Sequence, residues 1–266
     1  MTGRFSLYTL PVMSKNKLGE IARAEAEGPG RVLIDRADAL LSFTLDHPAR
    51  GNEVTGTMMD AMLTELRSEA AEPRARVLRI RARGRVFCTG RERAGRDLAT
   101  IRMESERILE FKRSLRTSPL ITVAEVHGDA LGFGFGLAIV CDFALVSQRA
   151  ALGFPEMRHG LAPSAIMSYL GEYILPRHAF PLVLLGETIT PKRALGIGLI
   201  SQVCPPGRLA KDADALIKRF LQLDAVAARR CKQFFLYAQQ NSFDENARLA
   251  VEFLTAGRMA ALAKQK

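Results

Sequence analysis

The sequence predicts an α/β fold with a helical C-terminal region. Short apolar runs rich in β-branched residues alternate with helix-period segments up to about residue 205, and helical patterns without proline follow. With 266 residues and 48% hydrophobic content, the chain is long enough to form one substantial core. We therefore expect an N-terminal extension at 1–30 that is flexible, an α/β core at 31–205 and a helical region at 206–266.

The first predicted elements are two strands, at 32–34 and 39–45, which a turn dense in polar residues closes at 46–52. A helix is predicted at 57–70, because its apolar residues recur at spacings of three and four. A strand at 77–82 follows, and then an amphipathic helix whose predicted span is 101–115, stopped before Pro119.

A buried strand at 120–126 then meets a series of glycines and a second apolar, helix-like run. The glycines stand at Gly128, Gly132, Gly134 and Gly136. Glycines at such a junction let the backbone approach a ligand closely, and the first N–H groups of the helix are free to bind an anion or oxyanion. This stretch is therefore the first candidate site.

The rest of the core is predicted as a strand at 143–146, one apolar helix at 164–175 and a strand at 200–204. Thr190 followed by Pro191 indicates the start of another helix, since a capping hydroxyl and a proline suit those positions. From residue 209 onward the pattern is helical, and we expect its large apolar residues to be buried: Phe234, Phe235, Leu236, Phe243, Leu249, Phe253 and Leu254.

Charge and cysteine content narrow the functional classes. The formal net charge is +10, and nine arginines between Arg74 and Arg96 face one acid, Glu92. Such a segment suits a phosphate-bearing ligand or nucleic acid, and equally a solvated basic face. The four cysteines are too widely spaced to suggest a zinc site or a disulfide framework. We therefore expect no metal site. The apolar run at 130–141 is too short to span a membrane, so we expect a soluble, cytoplasmic protein.

Four segments stand in a fixed order along the chain. They are Leu45-Asp-His-Pro48 with Asn52, Phe87-Cys-Thr-Gly90, the glycine-rich stretch 126–142, and Phe154-Pro-Glu156 with the residues up to 163. Together with the segment 185–203, they resemble the crotonase superfamily, the enoyl-CoA hydratase/isomerase enzymes. The resemblance runs from about residue 32 to about residue 250.

This resemblance implies a crotonase-like spiral of β-β-α repeats, with a helical C-terminal trimerisation region. It implies an acyl-CoA thioester as substrate, with coenzyme A as part of the substrate and no separate cofactor, and a homotrimer or a dimer of trimers. In that family two backbone N–H groups hold the thioester oxygen, and the matching residues here are Arg91 and Phe133. Donors fixed in place stabilise the negative charge that an enolate-like transition state puts on that oxygen.

The resemblance also locates the acid–base groups. Hydratases of the family carry two glutamates, and the matching positions here hold Gly136 and Glu156. Adding water to a double bond calls for two such groups, whereas shifting a double bond calls for one base. Glu156 is therefore the expected catalytic base, and isomerisation is favoured over hydration.

Other residues and functions stay open at this point. For substrate and coenzyme A binding we expect Arg50, Gly90, Arg93, Gly132 and Gly134, because arginine pairs well with phosphate oxygens and glycine lets a ligand approach. One alternative is a hydratase that uses Glu156 with a non-standard second group, such as Glu92. Another is a non-catalytic relative that binds acyl-CoA or RNA, although the sequence has no aromatic-interleaved groove motif and nucleic acid is not the expected partner.

Overall fold

The structure is a computed structural model that describes residues 29–263. The predicted extension at 1–30 lies outside the described residues except for its last two. Within the described range the strands are β1 (Arg31–Ala37), β2 (Leu40–Asp46), β3 (Val77–Ala82), β4 (Ile121–Val126), β5 (Ala130–Leu131), β6 (Phe143–Ser147), β7 (Leu152–Gly153), β8 (Thr188–Ile189) and β9 (Gln202–Cys204).

The helices surround these strands. They are α1 (Gly56–Ala71), α2 (Leu98–Arg116), α3 (Phe133–Val140), α4 (Ser164–Leu170), α5 (Pro176–Leu185), α6 (Pro191–Gly196), α7 (Leu209–Gln222), α8 (Ala225–Ala238) and α9 (Phe243–Ala263), with 3-10 turns at Pro48–Arg50 and Pro155–His159. The α/β class predicted from the sequence is confirmed.

A six-stranded sheet in the order β1-β2-β3-β4-β6-β9 forms the centre of the molecule. The pair β1–β2 is antiparallel and every other pair in this sheet is parallel. A smaller sheet, β5-β7-β8, lies beside it. The small sheet holds the glycine loop against Gly153, just before the 3-10 turn that carries Glu156, and so brings the two predicted site segments together.

The helices α1 and α2 begin at side-chain caps. The hydroxyl of Thr55 accepts a hydrogen bond from Met58 N–H at the start of α1, and the carboxylate of Asp97 accepts one from Thr100 N–H at the start of α2. The predicted cap at Thr190 is also present and accepts from Arg193 N–H. Such caps satisfy N–H groups that the helix itself leaves without partners.

One predicted element is wrong. The sequence pattern predicted a single helix over 164–175, whereas the chain forms α4 and α5 with a turn between them. Leu175 is extended, with ψ of 147°, because a residue before proline avoids the helical region, and Pro176 then starts α5. Gly171 marks the end of α4.

The C-terminal helices also differ from expectation. We expected their large apolar residues to be buried, but Phe235, Phe243 and Leu254 are 62%, 82% and 73% exposed, and α9 has no buried residue. Polar contacts, and not buried apolar residues, hold α8 beside the sheet. Lys232 donates to the carbonyl of Leu120 at 2.8 Å and to Asp142 at 2.7 Å. In the isolated chain these helices therefore present apolar surface to solvent.

No helix in the described part of the chain is long and apolar enough to cross a membrane. Among the same residues, no cluster of three or more His, Cys, Asp or Glu side chains is arranged to hold a metal ion.

Candidate active site

A cavity of about 800 Å³ opens between α2, the start of α3 and the stretch that follows β7. Five segments line it: Arg50 with Glu53, the loop at 89–94, the middle of α2, the start of α3, and the stretch from Pro155 to Tyr169. Of the residues predicted from the sequence, those that line this cavity are Arg50, Gly90, Arg91, Arg93, Gly132, Phe133 and Glu156. The fold thus brings together segments that are far apart in the chain.

Arg91 and Phe133 are far apart in the sequence but line the same cavity. Val54 N–H donates to the carbonyl of Gly90, and Glu92 N–H donates to the carbonyl of Val54. Because Val54 pairs with the residues on either side of Arg91, the N–H of Arg91 points away from Val54. Phe133 is the first residue of α3, where N–H groups have no intrahelical partner. Within residues 29–263, neither amide has a main-chain hydrogen-bond acceptor.

Glycines allow this close packing at the start of α3. Gly132 has a φ of 52°, and a methyl group there would lie 3.0 Å from Oε1 of Glu156. Gly134 does not line the cavity, which differs from the prediction that it contacts substrate. A methyl group on Gly134 would lie 2.1 Å from the carbonyl oxygen of Cys88, so its role is to let α3 pack against Cys88, the residue before the loop at 89–94.

Glu156 stands on the 3-10 turn Pro155–His159 and points towards Gly132. The turn is anchored by Phe154, which is fully buried and stacks on Phe135 with ring centroids 5.1 Å apart. Oε2 of Glu156 is buried and has no hydrogen-bond partner in the described part of the chain. Burial raises the pKa of this carboxyl group, while a hydrogen bond from the backbone of Glu156 itself and the positive charge of Arg93 act in the opposite direction.

Lys112 and Tyr169 fill the space beside Gly136. A methyl group on Gly136 would lie 2.7 Å from the Tyr169 hydroxyl and 3.3 Å from Nζ of Lys112. Lys112 comes from α2, where it is buried, and donates to the carbonyl of Phe133 at 3.2 Å. Its Nζ also lies 4.3 Å from the centre of the Phe133 ring, in the geometry of a cation–π contact.

Burial dominates the titration of Lys112. Transfer of its ammonium out of water lowers its pKa to about 7. The neighbouring thiols of Cys88 and Cys141 are buried too, which raises the pKa of each to about 12 and keeps both neutral at pH 7. Lys112 is therefore a basic side chain that can gain or lose a proton near neutral pH.

The arginines predicted to bind phosphate lie at the cavity mouth. Arg50 is exposed and pairs with Glu53 at 3.2 Å, and Arg93 is exposed without such a pair among the described residues. The side chain of Arg91 turns to Glu104, at 3.6 Å, and burial lowers its pKa. Glu92 lines the cavity but is exposed, and its amide holds the loop through Val54.

Sequence reasoning missed Lys112 and Tyr169. A signal for Lys112 was available, because the buried face of α2 reads Ile108, Phe111, Lys112 and Leu115, which is a lysine inside an apolar stripe. Tyr169 gave no comparable signal, since a tyrosine in an apolar helix is common in a core.

Comparison with solved structures identifies the fold. An enoyl-CoA hydratase from Mycobacterium smegmatis superposes with a TM-score of 0.82 over 86% of this chain and 91% of that one, at 22% sequence identity. The fold is therefore that of the crotonases, and the expectation of a crotonase-like fold is confirmed.

Sequence comparison identifies the family to which the chain belongs. Residues 35–256 match the model of the enoyl-CoA hydratase/isomerase family, and the chain belongs to this family. A relative from Thermus thermophilus, named for enoyl-CoA hydratase activity, is 28% identical over 230 residues, which cover 82% of this chain and 88% of that one. The 2,3-dehydroadipyl-CoA hydratase of Escherichia coli is 31% identical over 137 residues, covering 50% of this chain and 53% of that one.

Proposed function

We propose that this protein acts on an enoyl-CoA thioester and shifts its double bond, with Glu156 as the base. The observation that carries the proposal is the buried, unpartnered Oε2 of Glu156 beside the glycine loop, with no second carboxylate at Gly136. A base without a hydrogen-bond partner in a half-buried site is available to take a proton from a bound substrate. Burial also raises its pKa, which makes it a stronger base than an exposed carboxylate.

In the proposed reaction Glu156 removes a proton from C2 of a 3-enoyl-CoA. The electron pair moves onto the thioester oxygen, where the amides of Arg91 and Phe133 stabilise the negative charge. Glu156 then returns the proton at C4 and leaves a 2-enoyl-CoA. The reaction removes one proton from C2 and adds one proton at C4, so a single carboxyl group suffices and no cofactor enters the reaction. Coenzyme A is held by Arg50 and Arg93 through its phosphates, with Gly90 and Gly132 allowing close approach.

The test is to measure turnover of a 3-enoyl-CoA and a 2-enoyl-CoA side by side in D₂O, with the wild type, Glu156→Gln and the exposed control Glu72→Gln. We expect deuterium at C4 of the 2-enoyl product, because the proton on Glu156 exchanges with solvent before its return, and a loss of roughly 10²–10⁴-fold in Glu156→Gln. Faster hydration than isomerisation, or full activity in Glu156→Gln, would contradict the proposal. Salt-sensitive RNA binding without any acyl-CoA turnover would instead favour the non-catalytic alternative.

Hydration is a second candidate, and the names of the relatives favour it. It calls for a second group that orients or deprotonates the water, in addition to Glu156. Glu92 was the sequence-based candidate for that group, and Glu92→Gln then abolishes hydration. Because Glu92 is exposed at the cavity mouth, we favour isomerisation.

A further inference from the structure

Lys112 is a buried amine in the cavity wall, and no acidic side chain among the described residues pairs with it. In residues 29–263 its polar contacts are the carbonyl of Phe133 and the face of the Phe133 ring. An ammonium group carries three donors, and these contacts use one hydrogen bond. Burying an ammonium without a counter-charge is costly, so a role in binding would explain its position.

The cysteine and tyrosine side chains that face Lys112 offer no negative charge at neutral pH. Cys88, after β3, and Cys141, at the end of α3, are both neutral thiols because burial raises the pKa of each to about 12. Tyr169, on α4, is protonated because burial raises its pKa as well. Glu156 stands on a different segment, beside Gly132, and makes no ion pair with Lys112.

Nζ of Lys112 and the hydroxyl of Tyr169 belong to the same part of the cavity wall. Both pack beside Gly136, at 3.3 Å and 2.7 Å from the position that a methyl group on Gly136 would take. The Tyr169 hydroxyl donates to the carbonyl of Gly136 over 3.3 Å, which is long for such a bond and leaves the hydroxyl free to turn. Apolar surface from Ile108 and Ile166 adjoins this space in the cavity wall.

We propose that the acyl group of the substrate carries a carboxylate, which pairs with the ammonium of Lys112 and accepts a hydrogen bond from Tyr169. The inference rests on the proposed acyl-CoA function and names its substrate class, the mono-CoA thioesters of dicarboxylic acids. An alkyl acyl chain would leave the buried amine unpaired, whereas a carboxylate supplies the missing charge. Hydrogen bonds between charged groups are about twice as strong as neutral ones.

Binding can be measured without turnover, which separates this proposal from the reaction itself. The experiment is calorimetry with saturated ligands in matched pairs, succinyl-CoA with butyryl-CoA, glutaryl-CoA with pentanoyl-CoA and adipyl-CoA with hexanoyl-CoA, with free coenzyme A as reference. At the chain length that reaches Lys112, we expect the dicarboxylic thioester to bind at least about tenfold tighter than its alkyl counterpart. Tighter binding of the alkyl ligand in every pair would overturn the proposal.

A second readout is proton uptake, obtained by repeating the titrations in buffers of different ionisation enthalpy. A carboxylate beside Lys112 favours the charged amine, so binding near pH 7 to 8 takes up protons. In Lys112→Met, which keeps the length of the side chain, we expect the preference for the carboxylate to be lost or reversed and the proton uptake to disappear. An unchanged preference in Lys112→Met rules the proposal out. If the dicarboxylic ligands bind as expected but no double-bond shift occurs, the proposed reaction fails and the carboxylate site stands.

Discussion

At the scale of single residues, the cavity contains two titratable groups whose pKa values burial moves towards neutrality from opposite sides. Burial raises the pKa of Glu156 and lowers that of Lys112 to about 7, because in each case it disfavours the charged form. Both groups belong to the cavity wall, and neither has an ion-pair partner among the described residues. Perturbed groups that share a cavity are typical of functional sites.

Lys112 should make the stability of the protein depend on pH. The unfolded lysine has a pKa near 10.5 and the folded one about 7, so between these values the unfolded state binds more protons. The free energy of unfolding then rises with pH in that window. We expect Lys112→Met to be more stable than the wild type near pH 7, with the advantage shrinking as the pH approaches 10.

Chemical denaturation of both proteins across this pH range measures the effect. Lys218→Met, at an exposed position of α7, is the control, and its stability difference from the wild type should stay constant with pH. A Lys112→Met protein whose stability difference does not vary between these pH values would contradict the assignment of the shift to Lys112.

At the scale of elements, the start of α3 depends on how closely its backbone approaches Cys88, the residue before the loop at 89–94. Leu131 N–H bonds the carbonyl of Cys88 at 2.9 Å, and Gly134 lies directly against the same carbonyl. The amides of Arg91 and Phe133 are therefore held by backbone packing between two segments. Gly134 contributes to the site through this contact and not by touching a ligand.

The variant Gly134→Ala tests this contact. Its methyl group would lie 2.1 Å from a backbone oxygen that cannot move without moving the loop, so we expect a loss of more than about 2 kcal/mol in stability. Gly171→Ala is the matched control, because its methyl group meets no atom within 4 Å and the residue has a helical φ of −64°. Thermal and denaturant unfolding of both variants give the comparison. Equal stabilities would show that the close approach does not constrain α3.

At the scale of the whole molecule, the exposed apolar face of α8 and α9 is the feature that the isolated chain does not explain. Its large members are Phe235, Phe243, Val251, Leu254 and Met259. Exposed apolar patches of this kind commonly mark interfaces between proteins. The predicted homotrimer, or dimer of trimers, would place this face between copies of the chain.

We expect the wild-type protein to have the mass of a trimer or hexamer by light scattering coupled to gel filtration. Leu254→Glu, which puts a charge on a residue that is 73% exposed in the single chain, should shift the protein to smaller species. Lys218→Glu, on α7, should keep the wild-type mass. A wild-type protein that is monomeric at micromolar concentration would show that these helices are covered in some other way.

The sequence determined the order of the elements in the core, because its apolar residues repeat with the periods of strands and helices. The resemblance of its motifs to a known family also predicted Glu156, Arg91 and Phe133 as site residues. The structure places all three in the wall of one cavity, and their roles in the reaction stay a prediction. It failed at 164–175, where glycine and proline divide an apolar run that periodicity alone cannot divide.

Tertiary structure alone decided which groups share the cavity and which groups are charged. Lys112 reaches the cavity from α2, Tyr169 from α4 and Glu156 from the turn after β7, and no local pattern records that these meet. The pKa of Lys112 is set by burial, which depends on every segment packed around it. Exposure of the C-terminal apolar residues is likewise a property of the folded chain, because a helical pattern shows which residues share a face but not what covers that face.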